Sequence, residues 1–125
     1  MHGLRKTVLI LKTVAGVALC LSLMGCHSAY IAATVSNHTA KTLSLIEVDY
    51  PSASFGTQML APGQDFHYRF KVLGSGPVKV IYTDSQEHEV KATGPDLHEG
   101  AEGPLTIVLG EGGVTWLPSS FPAGR

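Results

Sequence analysis

Asp65-Phe66-His67-Tyr68-Arg69-Phe70-Lys71-Val72 decides the fold class. Phe66, Tyr68, Phe70 and Val72 take every second place, with His67, Arg69 and Lys71 between them. Successive side chains of a strand point to opposite faces, so this pattern is a half-buried β-strand. A helix needs apolar residues at a 3.6-residue period. No segment after residue 26 keeps that period for three turns.

The same reading extends in both directions. Downstream, Gly74-Ser75-Gly76 turns the chain, and Val78, Val80 and Tyr82 then alternate with Lys79, Ile81 and Thr83. Asp84-Ser85-Gln86 turns it again into residues 87–93, with His88, Val90 and Ala92 on one face. Residues 93–103 are polar and Gly-rich and read as the longest loop. Leu105, Ile107 and Leu109 mark another strand, and residues 114–117 the last. Upstream, residues 55–60 form a weaker run before the turn Ala61-Pro62-Gly63. In residues 42–50 Leu43 and Leu45 share one phase, whereas Ile46, Val48 and Tyr50 share the other. That switch predicts a bulge or a change of sheet. Ser36-Asn37-His38-Thr39 is a turn, and Ile31, Ala33 and Val35 give the first strand one apolar face. Alternatively residues 29–33 are tether and the strand begins near Thr34.

Short strands punctuated by Gly and Pro at roughly 8–12-residue spacing belong to all-β domains. The expectation for residues 29–117 is a small immunoglobulin-like or transthyretin-like β-sandwich of seven to eight antiparallel strands. Residues 118–125 read as a flexible tail. A sandwich carries no function by itself.

Three-residue loops at residues 74–76 and 84–86 give the middle strands a register. Val72 then faces Val78, Phe70 faces Val80, Tyr68 faces Tyr82, Val80 faces Val90, and Tyr82 faces His88. On the opposite face, Lys71, Lys79 and Lys91 fall side by side, with Arg69, Ile81 and Glu89 on the next rung. Adjacent like charges are unfavourable by up to about 1 kcal/mol. The rung is either a solvated face, with Glu89 relieving the lysines diagonally, or an anion site for a phosphate or lipid head group. The candidate anion patch is therefore Arg69, Lys71, Lys79 and Lys91.

The N-terminus carries a different signal. Arg5, Lys6 and Lys12 precede an apolar stretch over residues 14–25, interrupted only by Ser22. A basic head and an apolar run of this length make a secretory signal peptide. The run is short for a membrane span, which needs about 20 apolar residues. It ends in Leu23-Met24-Gly25-Cys26, which resembles the lipobox of bacterial lipoproteins: an aliphatic residue, a tolerant position, a small residue, then cysteine. Met24 is less usual there than Ala or Ser, and Leu19 is too bulky before the competing Cys20. The resemblance covers the first 26 residues. It implies that Cys26 is diacylglycerylated, that residues 1–25 are removed, and that the new amine is acylated. Residues 26–28 are then a lipidated tether and membrane lipid the first partner. His27, standing where Asp would favour inner-membrane retention, implies the periplasmic face of the outer membrane in a diderm host.

Composition narrows the rest. Beyond residue 25 six basic residues stand against ten acids, a formal charge of −4. That is the wrong sign for nucleic-acid binding. With Cys20 lost and Cys26 acylated, no thiol is left for a disulfide, so the core alone must hold the domain. The histidines are scattered, and His88 reads as a core histidine hydrogen-bonded to Tyr82 or to backbone. No metal-ligand spacing and no cofactor motif is present. Asp96, Glu99 and Glu102 lack EF-hand spacing. Ser54 or Ser75 with His67 and Asp84 has no nucleophile elbow to single it out. Tyr50-Pro51-Ser52-Ala53-Ser54-Phe55-Gly56 either displays its aromatics in an interaction loop or folds them under the sandwich edge. The phase of Tyr50 favours the second. The expected role is non-catalytic: a binding or assembly module of the envelope, with an envelope protein as partner. An anion-binding lipoprotein is the alternative and a small hydrolase the least favoured.

Overall fold

The computed structural model describes residues 28–122. They form eight strands: β1 (Ile31–Asn37), β2 (Leu43–Tyr50), β3 (Ala53–Leu60), β4 (Asp65–Phe70), β5 (Gly76–Thr83), β6 (Glu89–Leu97), β7 (Gly103–Gly110) and β8 (Gly113–Leu117). Two four-stranded sheets result, in the orders β4-β1-β7-β8 and β3-β2-β5-β6. The domain is thus the all-β sandwich that the alternation predicts. β1 begins at Ile31, so residues 31–33 are strand and not tether.

The core lies between the inner faces. Ile31 and Val35 of β1, Val48 of β2, Val78 and Val80 of β5, and Leu105, Ile107 and Leu109 of β7 have no exposed surface. These residues hold the four central strands, each stabilising the fold by about 1.5–3 kcal/mol. The switch of phase in β2 is a bulge: its register against β5 shifts between Ser44 and Glu47, and Leu45 takes a φ of 51°. Gly56 of β3 lies opposite, where a Cβ would stand 2.1 Å from the Ile46 carbonyl oxygen. Only glycine lets the two backbones approach that closely.

Several expectations fail, each for a physical reason. Not every pairing is antiparallel, because β1 and β7 run parallel. β4 does not pair with β5. It pairs with β1, Ile31 opposite Phe70, and the chain crosses between sheets at residues 71–75. Strands that face one another across a core share the alternation that neighbours in a sheet would share, so the pattern does not separate the two cases. The β5–β6 connection takes five residues, 84–88, not three. Asp84 organises it, its carboxylate accepting from the Gln86 and His88 amides at 2.9 Å each. Glu87 supplies the left-handed step at φ 62° without a glycine to mark it. Tyr82 therefore faces Val90 and Val80 faces Ala92. His88 is no core residue: it is exposed, with Nδ1 3.7 Å from Asp84. The long loop at residues 93–103 is mostly strand, since β6 runs on to Leu97. Gly94 leaves room there for the Trp116 ring of β8, which a Cβ would meet at 2.5 Å. Phe121, in the stretch expected to fray, packs against the core.

Burial sets one pH dependence. Tyr82 is held above its ordinary pKa of 10.0, first by burial and then by the nearby Asp84 carboxylate. The folded state keeps this proton at a pH where the unfolded state has released it. Stability is accordingly undiminished below the unfolded pKa and falls as pH rises past it toward the folded one. The urea midpoint is expected to drop between pH 8 and pH 11, and to drop less in Tyr82→Phe. Equal drops in the two proteins would remove Tyr82 as the cause.

Candidate functional site

The residues proposed from sequence for an anion patch separate in the fold. Lys79 sits on β5 opposite Asp49 of β2 and Thr93 of β6. Lys91 lies opposite Ile81, with its ammonium 3.5 Å from Glu89. Lys71 follows β4, in the other sheet. The lysine rung does not form: β4 has a different neighbour, and the longer β5–β6 loop moves Lys91 by two places.

Arg69 and Lys71 stay together and gain a neighbour that the sequence reading passed over. The Arg69 guanidinium lies 3.9 Å above the ring centroid of Tyr30. The β1–β4 pairing causes this, because Ala32 faces Arg69 and the chain just ahead of β1 runs beside the end of β4. The Tyr30 carbonyl also accepts the Gly103 amide at 3.1 Å, which fixes the residue between β4 and β7. Among the described residues the ion pairs are His88–Asp84 and Lys91–Glu89, so Arg69 and Lys71 are unpaired. An open groove runs from Arg69 and Lys71 past Tyr30 and Ser28 to Glu102 and Gly103.

The strip beyond β4 is held from both sides. Ser52, in the β2–β3 turn, donates to the Lys71 carbonyl at 3.4 Å and accepts the Leu73 amide at 3.3 Å. The Gly100 amide donates to the Val72 carbonyl at 3.0 Å. Val72 is buried while Lys71 and Leu73 project outward, Leu73 being 62% exposed. Two exposed side chains, one cationic and one apolar, thus stand on a pinned backbone at the end of the sandwich where β1 begins.

The other candidates are engaged locally. His67 Nδ1 is 3.0 Å from the Thr34 hydroxyl, Asp84 closes its own turn, and Ser75 accepts the Glu99 amide at 3.3 Å. The fold does not bring them together. Among the described residues, no group of three His, Cys, Asp or Glu side chains is placed to hold a metal ion. Tyr50 and Phe55 fold under the sandwich edge, where Tyr50 stacks on Phe70 at 4.0 Å and Phe55 on Tyr68 at 4.5 Å. Cys26 lies outside the described residues.

No protein-family model matches the chain, and no curated protein does. Among solved structures, the chain is similar to one described as an NMR structure of a protein from Eubacterium rectale. The TM-score is 0.46 and the identity 15%, over 81% of this chain and 94% of that one.

Proposed function

We propose that this protein is a lipoprotein of the bacterial cell envelope whose β-sandwich is a non-catalytic binding or assembly module. What carries the reading is the spacing between Leu23-Met24-Gly25-Cys26 and the first strand. Cys26 precedes Ile31 by five residues, a reach of at most about 18 Å. An acyl chain contributes about 0.8 kcal/mol per buried methylene, one chain binds marginally, and two or more hold stably. A domain tied so closely stays at the bilayer surface. The outer membrane's periplasmic face follows from His27 in a diderm host. Leu45, at the β2 bulge, and Met59, on the neighbouring β3, are large exposed apolar side chains that a protein partner could cover.

Mass spectrometry of the membrane-extracted protein is expected to find an acylated N-terminal peptide beginning at Cys26. Cys26→Ser is expected to move the protein out of the membrane pellet. An unmodified cysteine, or an N-terminus elsewhere, would overturn the reading.

A further inference from the structure

We propose that the corner formed by Tyr30, Arg69, Lys71 and Leu73 lies against an anionic phospholipid surface and sets the orientation of the domain there. The proposal rests on the lipid-anchor reading and adds a contact made by the folded domain itself. Tyr30 follows Cys26 by four residues, so the acylated residue stands within about 14 Å of it. Whatever surrounds that corner is within reach of the lipid head groups.

The chemistry of the corner suits that surface. Stacking on Tyr30 occupies one face of the Arg69 guanidinium and leaves its in-plane N–H donors free for phosphate oxygens, which they match in pairs. Lys71 adds an unpaired ammonium. Each cation near an anionic leaflet contributes about 1 kcal/mol. Tyrosine favours the head-group region, where its ring is apolar and its hydroxyl wet. Leu73 supplies an apolar side chain able to enter the boundary between head groups and acyl chains. Ser52 and Gly100 hold the strip in place beforehand, so little ordering remains at the moment of contact.

The opposite end of the sandwich has the wrong charge for such a surface. Asp65, Asp84, Glu87, Glu89 and Glu111 cluster around the far ends of the strands, with Lys41 and Lys91 there too. An eight-residue strand separates the two ends by about 25 Å. Asp49, Asp96, Glu99 and Glu102 belong to the near end, on β2, β6 and the β6–β7 connection, and confine the contact to the β4 side. The far end thus carries five acids against two lysines, and at the near end Arg69 and Lys71 gather on the β4 side.

The test uses the full chain, processed in a bacterial host and reconstituted into phosphatidylcholine vesicles containing phosphatidylglycerol. Leu73→Cys and, in a second protein, Ser85→Cys are labelled with an apolar, environment-sensitive fluorophore. Acylation blocks Cys26, so the label goes to the new thiol. Vesicle flotation is scored first, then quenching by acrylamide. The expected result is a protein that floats, with the label at 73 quenched several-fold less than that at 85. Arg69→Glu/Lys71→Glu should still float and lose this protection. Equal quenching at 73 and 85 in a floating protein would overturn the surface contact and leave the anchor standing. Protection unchanged by the charge reversal would also overturn it, since the phosphates would have no part. A protein that fails to float removes the anchor, and the corner's role with it.

Discussion

Phe70→Ala is expected to destabilise the domain by about 3–5 kcal/mol, the range for a buried phenylalanine. A domain of this size is typically stable by about 5–15 kcal/mol, so the variant keeps a fraction of its margin. Phe70 closes β4 and is 5% exposed. Its ring stacks on Tyr50 of β2 at 4.0 Å and lies 5.7 Å from Phe55 of β3. The side chain thereby ties the edge of one sheet to the other sheet. Among the described residues β4 pairs with β1 alone, so across the core this end relies on the Phe70 stack, beside the hydrogen bonds that Ser52 and Gly100 make to residues 71–73. Truncation removes the buried ring, leaves a cavity, and ends aromatic contacts worth about 0.5–1.5 kcal/mol beyond the area they bury. Phe66, half-buried and 6.2 Å from Phe55, is the comparison. Phe66→Ala should cost clearly less in urea or thermal unfolding. Equal losses would show that the edge does not depend on the Phe70 stack. Since Phe70 sits between Arg69 and Lys71, the variant should also weaken the protection of a label at position 73.

The alternation that reveals such a residue is local, and local information reaches only part of the way. Which face each side chain takes was legible throughout β4, β5 and β7, because a period of two needs no partner strand. The bulge in β2 was legible for the same reason, as was the folding of Tyr50 and Phe55 under the edge. Which strand lies beside which was not. β4 and β5 present apolar faces that fit each other equally well across a core or along a sheet. The β5–β6 loop has no glycine to mark it: Glu87 takes a left-handed step that a non-glycine rarely takes, and so the loop read two residues short. A slip of two keeps every side chain on its face and changes every partner. That is how a consistent hydrophobic pattern yielded a lysine rung that does not exist. Gly94 misled in the opposite direction, reading as loop where it leaves room for Trp116. At the candidate site Arg69 and Lys71 were visible as charges. Tyr30 became relevant only through the β1–β4 pairing, which no stretch of sequence announces.

Asn37 carries the second large effect, through polar satisfaction instead of packing. It ends β1 with no exposed surface, and its side chain uses all its bonding capacity. Nδ2 donates to the Lys41 carbonyl at 2.8 Å and to the buried Leu60 carbonyl at 2.9 Å. Oδ1 accepts from the Thr39 amide at 2.8 Å and the Thr39 hydroxyl at 2.7 Å. The backbone adds bonds to Gln64 and Gly63, so one residue joins the β1–β2 and β3–β4 connections. Asn37→Ala strands those partners, and an orphaned buried polar group costs about 1–3 kcal/mol. The expected loss is about 2–4 kcal/mol, measured by urea unfolding, once the cavity is included. Asn37→Asp sharpens the test. A carboxylate there faces two carbonyl oxygens without water, so folding raises its pKa. The stability it retains is then greatest below the unfolded pKa of about 3.9 and falls as pH rises through the folded value. Asn37→Asp should be less stable relative to wild type at pH 7 than at pH 4, whereas the deficit of Asn37→Ala should not change with pH. A pH-independent deficit for the aspartate would mean that the site admits water, and that Asn37 is held by its turn and not by the core.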